Sequence, residues 1–125
     1  MNKTVLMIVT VLSCLLFHVV QAMTCPNPNT SSLQWGEPPV PWVPNPLSPN
    51  RPQGEANAQF VRANILVAGI GRGVSCTYRI SVGDYSIWFP ALVKIPARSE
   101  GYWIDNYNGK VCTQSIERCD FVVAN

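Results

Sequence analysis

The sequence predicts an all-β domain, a small antiparallel sandwich or barrel with a proline-rich N-terminal loop and disulfides. Three observations carry this expectation. No segment sustains the 3.6-residue period of an amphipathic helix, several short runs alternate apolar and polar residues, and glycine or proline turn signals separate those runs at short spacing.

Taken in order, residues 1–22 read as a secretory signal peptide, because Lys3 precedes an apolar run over residues 5–20 and Val20-Gln21-Ala22 offers a small-residue cleavage site. The run is shorter than the ~20 residues a spanning helix needs and is interrupted by Thr10, Ser13 and His18, which argues against a retained anchor. Cys14, next to Ser13, is a lipidation candidate, but it sits in the middle of the run with apolar residues on both sides. Residues 23–125 are then one domain, with a proline-rich extended segment over 23–54 and a sheet core over 55–125.

Residues 37–52, EPPVPWVPNPLSPNRP, hold seven prolines that remove backbone donors and favour extended geometry, so neither a helix nor a central strand is expected there. Two readings compete: an ordered loop packed over the domain through Trp42, Val43 and Leu47, or a stiff exposed partner-binding segment with Trp42 as its anchor. Beyond Gly54, Val61, Ala63, Ile65 and Val67 alternate with Arg62, Asn64 and Leu66. After Gly69-Ile70-Gly71-Arg72-Gly73, Val74, Cys76, Tyr78 and Ile80 alternate with Ser75, Thr77 and Arg79, which completes a hairpin. Gly83-Asp84 signals the next turn, followed by Tyr85, Ile87 and Phe89 alternating with Ser86 and Trp88. Residues 92–95 make a short edge segment ended by Pro96. Residues 102–104, 111–113 and 121–123 are the last candidate strands, with Asn108-Gly109 as the turn between the first two.

The leader contains the only histidine, His18, so the mature chain has no imidazole. Ser-His-Asp and Cys-His catalysis and His-ligated metal centres are thereby excluded, and no cofactor motif is present. The mature side chains carry eight basic against seven acidic residues, a net charge of +1, with the cations scattered singly; that pattern does not point to nucleic acid.

Cys25, Cys76, Cys112 and Cys119 survive cleavage, and in an oxidising compartment four cysteines favour two disulfides with three possible connectivities. The expected pairs are Cys112 with Cys119 as a local clip and Cys25 with Cys76 tying the N-terminus to a central strand. A zinc site is disfavoured by the six residues between Cys112 and Cys119 and by the isolation of the other two.

Among candidate sites, the 69–73 glycine run lacks dinucleotide-loop spacing and leads into a strand, so it reads as a hairpin tip. Arg72 on that tip is either a solubilising charge or a guanidinium offered to a partner's carboxylate. Trp88 falls on the face opposite Tyr85, Ile87 and Phe89, where it is either covered by the proline-rich loop or forms a platform for a protein or glycan partner. Trp42, Arg72 and Trp88 are therefore the candidate binding residues. Acid–base chemistry would fall to carboxylates, for instance Glu37, Glu55, Asp84, Glu100 or Asp105, and no pair of them shows catalytic spacing. Asn29-Thr30-Ser31 fits the glycosylation pattern, which matters only in a host with that machinery.

Thr24-Cys25-Pro26, Ser75-Cys76-Thr77-Tyr78, and Cys112 with Cys119-Asp120-Phe121 resemble small exported bacterial domains of unknown function. That resemblance spans most of the mature chain and supplies no activity. A second, fainter resemblance is to periplasmic inhibitors of C-type lysozyme, through Ser81-Val82-Gly83-Asp84-Tyr85 and Trp88. It implies a small disulfide-bearing β-barrel that uses its serine- and glycine-rich loop against the enzyme cleft. Val82 stands where that family has glycine, and Pro90-Ala91 where it has lysine-glycine.

The functional expectation is an exported, non-enzymatic binding domain of the bacterial envelope or extracellular space, periplasmic or secreted, with an unidentified protein or glycan partner and no membrane insertion after leader cleavage. The alternatives are a lysozyme-inhibitor-like protein, a histidine-independent carboxylate hydrolase and a structural envelope protein.

Overall fold

Alternating apolar residues on three successive strands build one antiparallel sheet, and every further element is arranged around it. A computed structural model describes residues 22–67, 72–97, 101–107 and 109–124; residues 1–21 with His18, the glycine run 69–71 and Asn108 lie outside the described residues. The strands are β1 (Ala22–Met23), β2 (Val43–Pro44), β3 (Gln59–Leu66), β4 (Gly73–Ile80), β5 (Gly83–Phe89), β6 (Ile104–Asn106), β7 (Gly109–Cys112) and β8 (Phe121–Val122). Six of them form a sheet in the order β2-β5-β4-β3-β7-β6, and β1 pairs with β8 in a second, smaller sheet. All of these pairings are antiparallel.

The small sheet is widened by the chain leaving β5. Val93 bridges Val123, the Lys94 N–H donates to the Val122 carbonyl at 2.8 Å, and the Ala124 N–H donates to Leu92 at 2.9 Å. The 92–95 segment expected at a sheet edge is thus part of the second layer. Phe121 of β8 lies 5.9 Å from Phe89 of β5, so the core sits between the two layers.

On β4, Val74, Cys76, Tyr78 and Ile80 face that core as the alternation predicts, and Tyr85, Ile87 and Phe89 do so on β5. β3 departs from the simple pattern. A bulge between Phe60 and Arg62 breaks the register, so Phe60, opposite Tyr78, packs against the core while Val61 is the inserted residue. Val67, read as a core position, lies beyond the strand end and is exposed. The turn between β4 and β5 also falls earlier than expected: Ile80 pairs with Gly83, which leaves Ser81-Val82 at the tip and places Gly83-Asp84 in the strand. The candidate strand 102–104 begins instead at Ile104, because Trp103 is drawn into the core with its Nε1–H donating to the Asp120 carbonyl at 2.8 Å.

The proline-rich segment runs as a strap along β5. Val43 and Pro44 pair with Trp88 and Ile87, and the Asn45 N–H donates to the Ser86 carbonyl at 3.1 Å. The Ser86 N–H in turn donates to the Ser48 hydroxyl at 2.9 Å, and the Asn50 amide donates to the Asp84 carbonyl at 2.9 Å. Proline cannot donate, so the Asn45 N–H and the Ser48 and Asn50 side chains satisfy the strand edge that a regular neighbour would otherwise fill. Ahead of the strap, residues Ser32–Trp35 make one 3-10 turn, capped by the Ser31 hydroxyl accepting from the Leu33 N–H. Among the described residues no helix is long and apolar enough to cross a membrane.

Both expected disulfides are present. Cys25 joins Cys76 across 51 positions and Cys112 joins Cys119 across seven, with all four cysteines buried. No thiolate among them is left for zinc, and such pairs belong to oxidising compartments.

Tyr78 and Tyr85 stack at 5.3 Å in the core. The Tyr78 hydroxyl donates to the Pro26 carbonyl at 2.6 Å, whereas the buried Tyr85 hydroxyl has no partner among the described residues. Burial, with Tyr85 beside it, pushes the Tyr78 hydroxyl well above the ordinary tyrosine value, and burial pushes Tyr85 up to about 12. The folded chain therefore keeps protons that the unfolded chain releases near pH 10, so this stability is complete below about pH 10 and is lost as pH rises toward and beyond 12. Tyr85→Phe is expected to hold or raise neutral-pH stability, by up to about 1 kcal/mol, because it removes an unpaired buried hydroxyl. It should also flatten the alkaline decline. Urea titrations at pH 7 and pH 11 check both, and a loss above 1 kcal/mol at pH 7 would show that the hydroxyl is satisfied.

Candidate functional site

The three candidate binding residues fall in three different environments. Trp42, only 6% exposed, has its ring 5.3 Å from Phe89 and 6.1 Å from Phe121, so it bridges the two layers as a core residue. This is the loop-packing role; the strap's outward apolar residues are instead Val43 and Leu47, with Val40 beside Pro41.

Trp88 lies on the outward face of the large sheet, half-buried. Strand register aligns Val43, Trp88, Ser75, Asn64, Val111 and Ile104 in one row across all six strands. Asn45 from the strap donates to the Ser75 hydroxyl at 3.3 Å on this face. The indole Nε1 is buried without a hydrogen-bond partner among the described residues and passes over Gly73: a Cβ at that position would stand 2.8 Å from Nε1 and 2.0 Å from the Phe89 carbonyl oxygen. Gly73 also has φ +146°, so this close crossing of β4 and β5 requires glycine. Strap and glycine together leave Trp88 partly covered, with its polar atom turned away from solvent.

Arg72 sits where the chain enters β4, exposed, and it lines a cleft of about 250 Å³. The other walls are Ile65, Leu66 and Val67 from the end of β3 and Leu92, Val93 and Ile95 from the segment crossing to the second layer. Leu92 and Ile95 are 51% and 55% exposed, large values for aliphatic side chains. Among the described residues Arg72 makes no ion pair. A second cleft of about 510 Å³ lies on the far side of the same segment, lined by Lys94, Ile95, Pro96, Trp103 and Phe121 among others, so Ile95 borders both. The apolar walls escaped sequence reading because Leu92, Val93 and Ile95, between Pro90 and Pro96, look like any short edge strand. Only the crossover to β8 turns them toward Arg72.

Three of the five candidate carboxylates are engaged. Glu55 accepts from both the N–H and the hydroxyl of Ser81, Asp84 pairs with Arg79 at 3.2 Å, and Asp105 pairs with the buried Lys110 at 2.7 Å. Glu37 is exposed on the strap, and Glu100 lies outside the described residues. The residues behind the lysozyme-inhibitor resemblance divide between the β4–β5 turn, where Ser81 is held by Glu55, and β5, where Tyr85 is wholly buried.

No curated protein and no solved structure matches the chain. The family described as "Protein of unknown function (DUF3757)" matches residues 19–122. That span takes in the cysteine motifs, both sheets and the Arg72 cleft, and the chain therefore belongs to this family of small domains of unknown function.

Proposed function

We propose that this chain is an exported, non-enzymatic binding domain of the bacterial envelope or extracellular space, and that its contact site is the Arg72 cleft. The observation that carries the reading is the guanidinium, without an ion pair among the described residues, at a concave surface walled by exposed aliphatic side chains. Exposed apolar surface beside a specific polar group is the usual composition of a binding site. Engagement of Glu55, Asp84 and Asp105 in internal contacts favours binding over carboxylate hydrolysis. Two disulfides suit an exported domain.

The test immobilises the oxidised protein and passes envelope extract, peptidoglycan fragments and lysozyme over it, in parallel with Arg72→Ala, Ile95→Asp and Trp88→Ala. A saturable partner is expected whose affinity falls about tenfold or more in the first two variants and little in the third. Retention that depends on Trp88 and not on Arg72 would move the site to the outward sheet face. Retention of nothing would reject the binding reading.

A further inference from the structure

The Arg72 cleft has a chemistry of its own. Among the described residues its lining side chains are six aliphatic ones and Arg72. A carboxylate suits the guanidinium, because two parallel N–H donors match its two oxygens. Beyond that contact no lining side chain among the described residues offers a hydroxyl, amide or second charge. A peptide laid along these walls would bring main-chain amides that the side chains cannot pair, and unpaired buried amides oppose binding. A sugar would leave its hydroxyls unpaired for the same reason. The complementary molecule has one anionic end and an otherwise apolar body.

We infer that the cleft binds an unbranched aliphatic carboxylate, a medium-chain fatty acid, with its carboxylate on Arg72 and its chain against Val67, Leu92, Val93 and Ile95. This assignment rests on the reading of the Arg72 cleft as the contact site and names its ligand class. The cleft volume, about 250 Å³, limits how much of the chain is held. Ile95 also lines the larger cleft beside Lys94, so a longer chain is expected to extend past this residue.

The experiment is titration calorimetry of the intact oxidised protein with sodium hexanoate, octanoate and decanoate below their micellar concentrations, and with 1-decanol. Each added methylene that enters the cleft should tighten binding by up to about fourfold until the walls are filled. Decanoate should bind about tenfold or more tightly than decanol, and Arg72→Gln should abolish that preference. Ile95→Asp should weaken decanoate to a similar degree, and Trp88→Ala should leave it unchanged. Arg72 and Ile95 are exposed, so unchanged melting temperatures will show that these variants are folded.

Equal binding of decanoate and decanol, an affinity indifferent to chain length, or tighter binding of an acetylated leucine tripeptide with a free C-terminus would each overturn the assignment. Absence of decanoate binding, in protein that still retains an Arg72-dependent envelope partner, would overturn the ligand class and leave the binding function standing. Absence of both would reject the two together.

Discussion

Replacing Cys25 and Cys76 together by alanine is expected to lower stability by about 4 kcal/mol, against about 2.5 kcal/mol for the corresponding change at Cys112 and Cys119. The difference follows from loop length, since one bond closes 51 positions of chain and the other seven. Freed of the longer link, the unfolded chain gains more conformations. The native state also loses the tether that brings residues 25 and 26 to β4, where Pro26 accepts the Tyr78 hydroxyl. For a domain of this size the larger loss lowers the melting temperature by roughly 15–25 °C. Urea titration of both double variants measures the comparison, and the unfolding slope should rise as the unlinked denatured state expands. Equal losses from the two pairs would show that loop closure is not what the long bond contributes.

Trp42→Ala is expected to cost about 3–5 kcal/mol, the range for deleting a large buried aromatic side chain. The indole contacts Phe89 on the large sheet and Phe121 on the small one, so its loss opens a void at the meeting of the two layers. It also removes the apolar anchor that holds the strap against β5. The effect on binding should be indirect, falling only as the folded fraction falls. Arg72→Ala should show the opposite behaviour, with binding lost and the melting curve unchanged. Measuring both properties on both variants separates the core tryptophan from the contact arginine. A Trp42→Ala protein of full stability with lost binding would return Trp42 to the list of contact residues.

Much of the architecture was legible because a period of two is a strong signal where one sheet face is buried. The core faces of β4 and β5 and the central hairpin followed directly from alternation, and both disulfides fell where the cysteine spacing suggested. What escaped was decided by interactions remote in sequence. The β3 bulge inverts Phe60 and Val61 relative to the pattern, and nothing local to those residues marks it. Trp103 is pulled inward by the Asp120 carbonyl, which shortens β6. Turn chemistry misled at Gly83, whose φ of +124° serves the residue after the tip and not the tip itself. Of the candidate site, Arg72 was visible as a lone cation among small residues. Its aliphatic neighbours were not, because they come from two segments about 25 residues apart that meet only when the chain crosses between layers. Trp42 was read equally well as loop packing or as an anchor, since the same aromatic chemistry suits both.

The proline strap carries a consequence for the behaviour of many copies together. A seven-residue strand such as β5, left open at its border, is a template for a second chain to continue the sheet, and end-to-end growth of that kind leads to fibres. Here the border is occupied by Pro44 and by the Asn45, Ser48 and Asn50 contacts, and proline has no donor with which to recruit a further strand. The opposite border, β6, is only three residues long and carries Asp105. A sheet closed by composition on one side and by brevity on the other offers a second copy little border to extend, so the residues that complete the fold also oppose growth by strand addition.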